Sequence, residues 1–543
     1  MNRRQVYLDQ GATVICASIM ANLDTLQSVG GYNLENNFYP DFKNSVFNLF
    51  SDNQAISEIK GKLNLVLTPE RKITPETNVI TYTMMPQPDK FLWPDSIRLV
   101  GSVQLEKKAN GSTEWGPPDA DDQVTVINNA QQCLFSKVLC RLNDTEISDP
   151  STDPYPYQSY FATTFNLTHE YKEHLSTQLF YKDTPTQYNA FNRNADLEAE
   201  KFVITDGLVW EETAIAVLNA SKQVEPVKKL MLKHINPSQI VIKRQATGKY
   251  NHGAVKRRAK LISGTAVPFI RRIDHDIVTA LTMIPPRTKV SFQFNMKDPN
   301  FVILQDSVKH KEDKFRLRLV DMNLEIVLAD VVPNVARHYM RSLNNSRLPP
   351  HIDFSRNFIR TYTVLGSNTS DFGAHNFIMS NRLPDTIILG ITKQTAHLAD
   401  KHENPFCFQA IGFSQINLIV NGELEYPTSF ESCTPTGRLK LYQHLQDCCG
   451  ENQATSQKLD ITYEEMYGGQ FFIYFDRTKA KDNRATRNVP DEGNLSIVLK
   501  TNQSFQGNID IFDPKTNWEV ICFCVYSSRI NYYGEHIEVT QFT

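Results

Sequence analysis

The chain has 543 residues and a mass of 62.1 kDa, which is more than one hydrophobic core usually serves, so we expect at least two domains. Charged residues make up 22% and hydrophobic residues 41%, which excludes a disordered chain, and no run of about 18 apolar residues predicts a membrane helix. The formal net charge of −3 gives the whole chain no attraction to nucleic acid or to a membrane surface.

The first predicted element is an N-terminal arm over residues 1–39. Arg3 and Arg4 precede a mildly apolar stretch, Gly11–Met20. Polar residues interrupt and closely follow this stretch, which favours an arm over a signal peptide.

Alternation of apolar and polar residues recurs through the rest of the chain. A strand sends successive side chains to opposite faces, so the pattern predicts strands with one wet face. The predicted strands are, in chain order, Lys62–Leu67, Ser96–Glu106, Lys289–Asn295, Phe315–Val320, Leu324–Leu328, Phe358–Leu365, Asp385–Thr392, Ile416–Asn421, Gln470–Asp476, Asn494–Lys500 and Val520–Tyr526. Two of these include runs that are apolar on both faces, Phe471–Phe475 and Ile521–Tyr526, which we expect another sheet or a neighbouring subunit to cover.

Few helices are predicted, and all are short. They are His169–Phe180, which Thr168 would cap, Asn334–Leu343 and Arg438–Asp447. These helices do not alternate regularly with strands, which argues against a doubly wound α/β fold. Many short strands joined by long polar loops favour an all-β protein made of sandwiches or jelly rolls.

The two halves of the chain share one weak echo. Cys140–Glu146 and Leu418–Leu424 each have a strand that runs into Asn143-Asp144 or Asn421-Gly422. Such dipeptides tolerate positive φ and form tight hairpin turns. The two turns are about half the chain apart, which fits either an internal duplication or two unrelated hairpins.

One segment departs from the overall charge balance. Between Pro226 and Ile273 there are twelve Lys or Arg residues and no Asp or Glu. Within it, Lys256-Arg257-Arg258-Ala259-Lys260 is short enough for a nuclear-localisation patch. The segment is interpreted either as an electrostatic contact with nucleic acid or an acidic neighbour, or as a solvated loop. Aromatic residues are sparse in it, so base stacking is not indicated.

A search for chemistry predicts no catalytic, cofactor-binding or metal-binding residues. In a strand, the carboxylates of Asp274 and Asp276 would share a face while His275 points away, which favours a surface polar triplet over a shared site. The acidic loop Asp119–Asp122 lacks the glycine turn and distal glutamate of a calcium loop.

The nine cysteines include no C-x-x-C pair, which argues against a disulfide framework or a zinc cluster and suits a reducing compartment. Cys522 and Cys524 are interpreted as small core residues, and Cys448-Cys449 lacks metal-ligand spacing. A long chain with many strands and no site fits a structural or binding protein better than an enzyme.

Several short segments resemble one family. Tyr155-Pro156-Tyr157 and the stretch Leu175–Thr184 resemble the "YPY … LFYKDT" region of the major capsid proteins of Maverick/Polinton elements, adintoviruses and related virophages. The strand Lys137–Leu142 is similar to the strand that precedes that region in the family. Three later segments resemble the family's "NPF", "GG-aromatic" and "GNL" segments in the same order: Asn404-Pro405-Phe406, Gly468-Gly469-Gln470-Phe471 and Gly493-Asn494-Leu495.

This resemblance implies an all-β fold of two tandem eight-stranded jelly rolls with long loops and a few short helices, in the adenovirus hexon-like lineage. With the break placed in the charged stretch Asp306–Lys314, the predicted domains are a first jelly roll with a basic loop insertion over 40–310 and a second over 311–543. The resemblance also implies a homotrimeric, pseudo-hexameric capsomer in an icosahedral virion capsid that is assembled in the host nucleus or cytoplasm. Its implied partners are neighbouring capsomers and minor or penton capsid proteins.

Two other functions stay open at this point. A carbohydrate-binding or carbohydrate-cleaving β-sandwich would need paired carboxylates flanked by aromatics, and the nearest candidate is Glu464-Glu465 with Tyr463 and Tyr467. A minor, penton-forming capsid protein needs only one jelly roll, and this chain is long enough for two.

Overall fold

Antiparallel sheets form most of the structure. The computed structural model describes residues 59–148, 155–189, 203–205, 241–243, 250–280, 282–305, 313–334, 336–337, 341, 351–365, 371–376, 382–449, 459–478, 492–501, 516–533 and 536–541. The predicted N-terminal arm, 1–39, lies outside these residues. None of the helices in the described part of the chain combines the length and the apolarity needed to cross a bilayer.

The first set of strands forms two four-stranded sheets. The strands are β1 (Ile59–Leu67), β2 (Val79–Met84), β3 (Lys90–Lys108), β4 (Val124–Val126), β5 (Phe135–Leu142), β6 (Thr145–Glu146), β7 (Val203–Thr205), β8 (Val241–Lys243), β9 (Val267–Arg272), β10 (Val290–Met296), β11 (Ile303–Gln305) and β12 (Lys314–Val331). The sheet orders are β1-β12-β3-β9 and β2-β10-β5-β6, while β4 pairs with β11 and β7 with β8. If the eight sheet strands are lettered B to I along the chain, these orders are BIDG and CHEF, the strand order of a jelly roll.

The second set repeats this arrangement. Its strands are β13 (His351–Val364), β14 (Asp371–Asn376), β15 (Thr386–Lys393), β16 (Phe413–Val420), β17 (Glu423–Leu424), β18 (Phe472–Asp476), β19 (Leu495–Thr501), β20 (Trp518–Tyr533) and β21 (His536–Gln541). The sheet orders are β13-β20-β15-β18 and β14-β19-β16-β17, with β21 added beside β20. They again spell BIDG and CHEF. The predicted pair of eight-stranded jelly rolls is confirmed.

The weak echo in the sequence marks structurally equivalent hairpins. Asn143-Asp144 joins β5 to β6 and Asn421-Gly422 joins β16 to β17, so each turn connects strands E and F of its roll. The turn residues have positive φ values of 46°, 69°, 53° and 87°. Both asparagines also make the same contact with the residue before strand H. The amide of Lys289 donates to Asn143 Oδ1 at 2.8 Å, and the amide of Asn494 donates to Asn421 Oδ1 at 2.9 Å.

Strand pairing moves the division between the rolls toward the C-terminus. The predicted boundary at 310/311 falls just before β12, yet β12 is antiparallel to β3 from Lys314 opposite Lys108 to Asp330 opposite Lys90. β12 is therefore strand I of the first roll. The charged stretch Asp306–Lys314 joins two strands of that roll, β11 and β12, and strand pairing changes between Val331 and His351.

Short helices lie in the connections. They are α1 (Ala130–Cys133), α2 (Tyr155–Asn166), α3 (His169–His174), α4 (His252–Leu261), α5 (Pro299–Val302), α6 (Gln394–His397), α7 (Pro435–Cys449) and α8 (Tyr463–Tyr467), with 3₁₀ turns at Leu175–Gln178 and Asp276–Thr279.

Two of the three predicted helices are confirmed. The prediction over 169–180 corresponds to α3 and the following 3₁₀ turn, and the Thr168 hydroxyl accepts from the amide of Tyr171 at 3.4 Å. The prediction over 438–447 lies within α7, where Leu441 and Leu445 are buried. The predicted Asn334–Leu343 falls largely outside the described residues.

Candidate functional site: the joint between the jelly rolls

The connection between β6 and β9 in the first roll contacts the second roll. We call this region the joint: α2, the segment Leu179–Asn189 and α4 on the first side, and Asn404–Phe408 and Gly468–Phe472 on the second. Every segment of the second side, and two of the three on the first, contain residues of the family resemblance or directly adjoin them. The structure brings together motifs that lie more than 200 residues apart in sequence.

Helix α2 presents an aromatic face to the second roll. Tyr157, Tyr160, Phe161 and Phe165 recur at the spacing of one helical face. At the helix C-terminal half, the hydroxyls of Thr163 and Thr164 donate to the carbonyls four residues earlier, at 2.8 Å each. These hydroxyls are satisfied within the helix. The contacts of α2 with the second roll are made by its aromatic rings.

Aromatic stacking fastens α2 to the second roll. The ring of Phe161 lies parallel to that of Phe523 on β20, with centroids 5.3 Å apart, and meets Phe472 on β18 at 5.4 Å. The ring of Tyr160 stacks on Phe406 at 4.2 Å. One face of the doubly apolar strands β18 and β20 is thus covered by a helix of the first roll. We expected another sheet or a neighbouring subunit to cover these strands, and for that face this expectation is wrong.

A buried ion pair lies beside these rings. Arg257 Nη2 donates to Asp183 Oδ1 at 2.6 Å, and the two side chains are 0% and 1% exposed. Asn251 Nδ2 donates to the same oxygen at 2.9 Å, and Asn404 of the second roll donates to Asp183 Oδ2 at 3.4 Å. The guanidinium also donates to the carbonyls of Val126 and Tyr181, so Nε, Nη1 and Nη2 each have an acceptor. A buried charge pair with this many partners fixes one geometry.

Lys182, the neighbour of Asp183, extends the joint to the second roll. Its ammonium donates to the carbonyl of Asp460 at 2.6 Å and pairs with Asp460 Oδ1 at 3.0 Å and Glu465 Oε2 at 2.8 Å. Glu464-Glu465 is the nearest candidate for a carbohydrate site, but one carboxylate of the pair has a structural role. Glu465 serves Lys182 and, with Thr462, a capping box at the start of α8. No contact in the described residues favours the carbohydrate function.

Two glycines allow the segments of the two rolls to approach each other closely at the joint. The amide of Thr186 donates to the carbonyl of Gly468 at 2.5 Å. A Cβ at Gly468 would lie 2.6 Å from Pro185 Cβ, and a Cβ at Gly469 would overlap the ring of Tyr188. Gly469 also has a φ of 128°, which side chains rarely allow. The glycine pair of the "GG-aromatic" segment is thus explained by its close contact with Pro185 and Tyr188.

Asp276 is a second polar centre of contact between the rolls. Its Oδ1 accepts from Gln158 on α2 at 3.0 Å and from Asn357 on β13 at 2.9 Å. Beside it, the backbone amide of Ser355 donates to the Thr279 hydroxyl at 2.9 Å. Asp276 is 2% exposed.

The interpretation of residues 274–276 as a surface triplet is therefore wrong. Asp274 bonds Arg271, and His275 is 2% exposed and caps a 3₁₀ turn instead of pointing to solvent from a strand.

The four arginines in the described part of the basic segment make structural contacts, while Lys256 and Lys260 are exposed on α4. Its patch 256–260 is a turn of α4, where Arg257 is buried and Arg258 donates to the carbonyls of Ala120 and Asp122. Arg271 and Arg272, on β9, pair with Asp274 and Asp95. Between 226 and 249 only the backbone of 241–243 is described, so the remaining basic residues lie outside the described residues.

The acidic loop has its own cation. Lys107 Nζ lies 2.8 Å from Asp119 Oδ2, 2.8 Å from Asp122 Oδ1 and 3.1 Å from Asp313 Oδ2. The ammonium occupies the place where a calcium ion would bind these oxygens. Across the described residues, no three His, Cys, Asp or Glu side chains gather as metal ligands would. Cys522 and Cys524 are buried in the core of the second roll, as predicted.

Burial holds several tyrosine, cysteine and histidine side chains in and beside the joint in their neutral forms. It raises the pKa of the Tyr160 and Tyr188 hydroxyls and raises the pKa of the Cys407 thiol to about 12. It lowers the pKa of His275 to about 3, and, with the charge of Lys297, the pKa of His397 to about 4. None of these groups is poised for acid–base work near neutral pH, which suits a structural contact.

The strand orders and the joint define a double jelly-roll protein. Solved structures agree: a chain of the Sputnik virophage structure aligns over 92% of this chain and 92% of its own, with a TM-score of 0.53 at 8% identity. The Faustovirus major capsid protein aligns over 96% of this chain and 98% of its own, with a TM-score of 0.50 at 6% identity. The sequence matches no protein-family model, and no curated protein is significantly similar to it. The likeness, at this identity, is one of fold.

Proposed function

We propose that this protein is the major capsid protein of a DNA virus or virus-like element and has a structural role, not an enzymatic one. The observation that carries the proposal is the presence of two complete BIDG/CHEF rolls in one chain, held by a buried joint of rings, ion pairs and close backbone contacts. The proteins of similar fold include the Faustovirus major capsid protein.

The proposed assembly is a homotrimer. Three chains with two similar rolls each give a capsomer with nearly sixfold outline, which fills a hexagonal lattice in an icosahedral shell. This outline requires a fixed relation between the two rolls of each chain. A joint whose ion pair is buried and whose rings are stacked supplies that fixed relation.

Exposed apolar side chains on edge strands are candidates for subunit contacts. Leu63 and Val66 lie exposed on β1 and Val79 on β2, and each strand is the last of its sheet in the described residues. Natural proteins avoid leaving such edges open to water, and neighbouring subunits can cover them.

The test is the oligomeric state of the purified full-length chain. Size-exclusion chromatography with light scattering should give a species of about three times 62.1 kDa, and negative-stain electron microscopy should show pseudo-hexagonal particles. A monomer across the concentrations at which capsids assemble would overturn the proposal.

The remaining partners follow from this function. We propose neighbouring capsomers, a minor or penton capsid protein, a place in the virion capsid, and assembly in the nucleus or cytoplasm of the host cell. The basic segment 226–273 is proposed to contact packaged DNA, with Lys228, Lys229 and Lys233 among the residues involved, because it contains twelve Lys or Arg residues and no Asp or Glu. Reversal of these charges should lower DNA retention in assembled particles, and unchanged retention would remove this contact.

A further inference from the structure

A cleft beside the joint is not used by the proposed function. It lies where β9, the C-terminal end of α2 and the 3₁₀ turn Leu175–Gln178 meet Asn357 of β13. Its volume is about 460 Å³, within the range of pockets that hold small ligands or a few side chains of a peptide.

Two buried donors that line this cleft lack acceptors. Arg271 is 3% exposed; its Nη2 donates to Thr163 and Asp274, while its Nη1 has no hydrogen-bond partner in the described residues. His275 is 2% exposed, and its Nδ1 accepts from the amide of Ile277 at 3.2 Å. Because burial lowers the pKa of His275 to about 3, the ring is neutral and its proton is on Nε2, which also lacks a partner. Gln178 Oε1, an acceptor in the same lining, also lacks a partner in the described residues, so the cleft offers a ligand two donors and one acceptor.

The charges that line the cleft leave one positive charge unopposed. Arg98 on β3 lies directly opposite Arg272 on β9. Arg272 pairs with Asp95 and Arg271 pairs with Asp274, whereas Arg98 is exposed and has no ion-pair partner in the described residues. A ligand group with one negative charge would therefore balance this arginine and supply acceptors for the buried donors.

The rest of the lining combines apolar side chains with the polar residues Asn166, Gln178, Thr279 and Asn357. Ile270 on β9 is 52% exposed and Tyr171 on α3 is 47% exposed, and Leu175 and Val278 complete the wall. Exposed large apolar side chains next to unsatisfied donors are typical of a site that recognises both a charge and an apolar group.

We propose that this cleft binds a short acidic peptide segment of a partner protein, with one carboxylate on Arg98 and the buried donors and an adjacent apolar side chain on Ile270 and Tyr171. A nucleic acid strand fits less well, because it carries a negative charge at every phosphate and the lining has only one unopposed positive charge. A carboxylate accepts hydrogen bonds from an arginine with two oxygens, which suits the donors present.

The experiment uses purified full-length protein and an array of fluorescent heptapeptides, each with a central glutamate between varied apolar residues. Each peptide has a twin with glutamine in place of glutamate. Affinity is measured by fluorescence polarisation for the natural chain, for Arg98→Ala and for Arg271→Lys. Arg360→Ala is the matched control, because Arg360 is exposed on β13 and does not line the cleft.

The glutamine twins should bind the natural protein about tenfold more weakly than the glutamate peptides do. The glutamate peptides should bind Arg98→Ala about tenfold more weakly than the natural protein, and should bind Arg360→Ala with unchanged affinity. Arg98 is exposed and has no ion-pair partner in the described part of the chain, so Arg98→Ala keeps the test valid even if Arg271→Lys does not fold. The proposal is overturned if no heptapeptide binds, or if the glutamine twins bind as well as their partners. It is also overturned if an oligo-dT strand, and no peptide, binds in a manner that depends on Arg98.

Discussion

At the scale of single residues, the Asp183–Arg257 pair decides how firmly the joint is set. Loss of one partner of a buried pair leaves an uncompensated charge, whereas an exposed pair contributes little. We therefore predict that Asp183→Asn, which keeps the side-chain volume, lowers the free energy of unfolding by about 3–5 kcal/mol. Urea denaturation followed by circular dichroism measures the change.

The matched control is the partly exposed pair Asp353–Arg529, whose nitrogen and oxygen are 2.8 Å apart across β13 and β20. Asp353→Asn should cost about 1 kcal/mol or less. Equal losses in the two variants would show that burial does not set the strength of the Asp183 pair.

A buried histidine makes a second prediction, on pH dependence. The pKa of His275 in the fold is about 3, below its ordinary value near 6.5. Below pH 6.5 the unfolded chain binds a proton at this residue that the folded chain does not, so stability falls as pH drops toward 3. The slope from this group is at most about 1.4 kcal/mol per pH unit.

His275→Asn removes the titrating ring and keeps a side-chain cap for the 3₁₀ turn. The variant should lose less stability than the natural chain between pH 6.5 and 5, as measured by urea midpoints across that range. Parallel profiles for the two proteins would mean that other groups cause the acid sensitivity.

At the scale of elements, the E–F hairpins show that the two rolls are built alike. Asn143 and Asn421 both adopt positive φ and both accept a hydrogen bond from the backbone amide before strand H. Alanine at either position loses the bond and tolerates the left-handed conformation poorly. We predict that Asn143→Ala and Asn421→Ala each cost about 1–2 kcal/mol.

Asn64→Ala, at an exposed position of β1, should change the stability by less than about 0.5 kcal/mol. The three variants are compared by thermal unfolding. A large loss in only one hairpin variant would argue that the two turns are not equivalent in energy.

The local elements could be predicted from the sequence because their signals are local. Alternation over a strand and Asn-Asp or Asn-Gly at a turn depend on neighbouring residues only. Helix α2 could not be predicted in this way, because its Tyr, Phe and Thr residues favour strands when considered alone. Its packing against the second roll stabilises the helix. The placement of β12 failed for a related reason: charged residues mark a loop, but they do not show whether a loop joins two strands of one roll or two rolls.

The joint could be predicted only in part. Family resemblance singled out the segments with Asp183, Phe406 and Gly469, but nothing in their spacing showed that they meet. Asp183 pairs with a residue 74 positions away and bonds another 221 positions away. Contacts at such separations leave no periodic trace in a sequence. The charge count assigned Arg257 to a surface patch, and its burial could not be predicted because its partners are equally distant in sequence.

At the scale of the whole molecule, the joint should make the two rolls unfold as one unit. Phe161 contacts the rings of Phe408, Phe472 and Phe523 in the second roll and, in its own helix, that of Phe165. Its removal therefore takes away mostly contacts between rolls. We predict that Phe161→Ala lowers stability by about 3–5 kcal/mol and splits the single calorimetric transition into two.

Phe292→Ala is the matched control, because Phe292 is buried on β10 beside Phe294 of the same roll. It should cost a similar free energy, since the truncation is the same, yet leave one transition. Loss of a fixed angle between rolls should also reduce the yield of pseudo-hexagonal particles in Phe161→Ala more than in Phe292→Ala, as counted by electron microscopy at equal protein concentration. A single transition and an equal particle yield in both variants would contradict the role of the joint, because the two rolls would then be held together by contacts elsewhere.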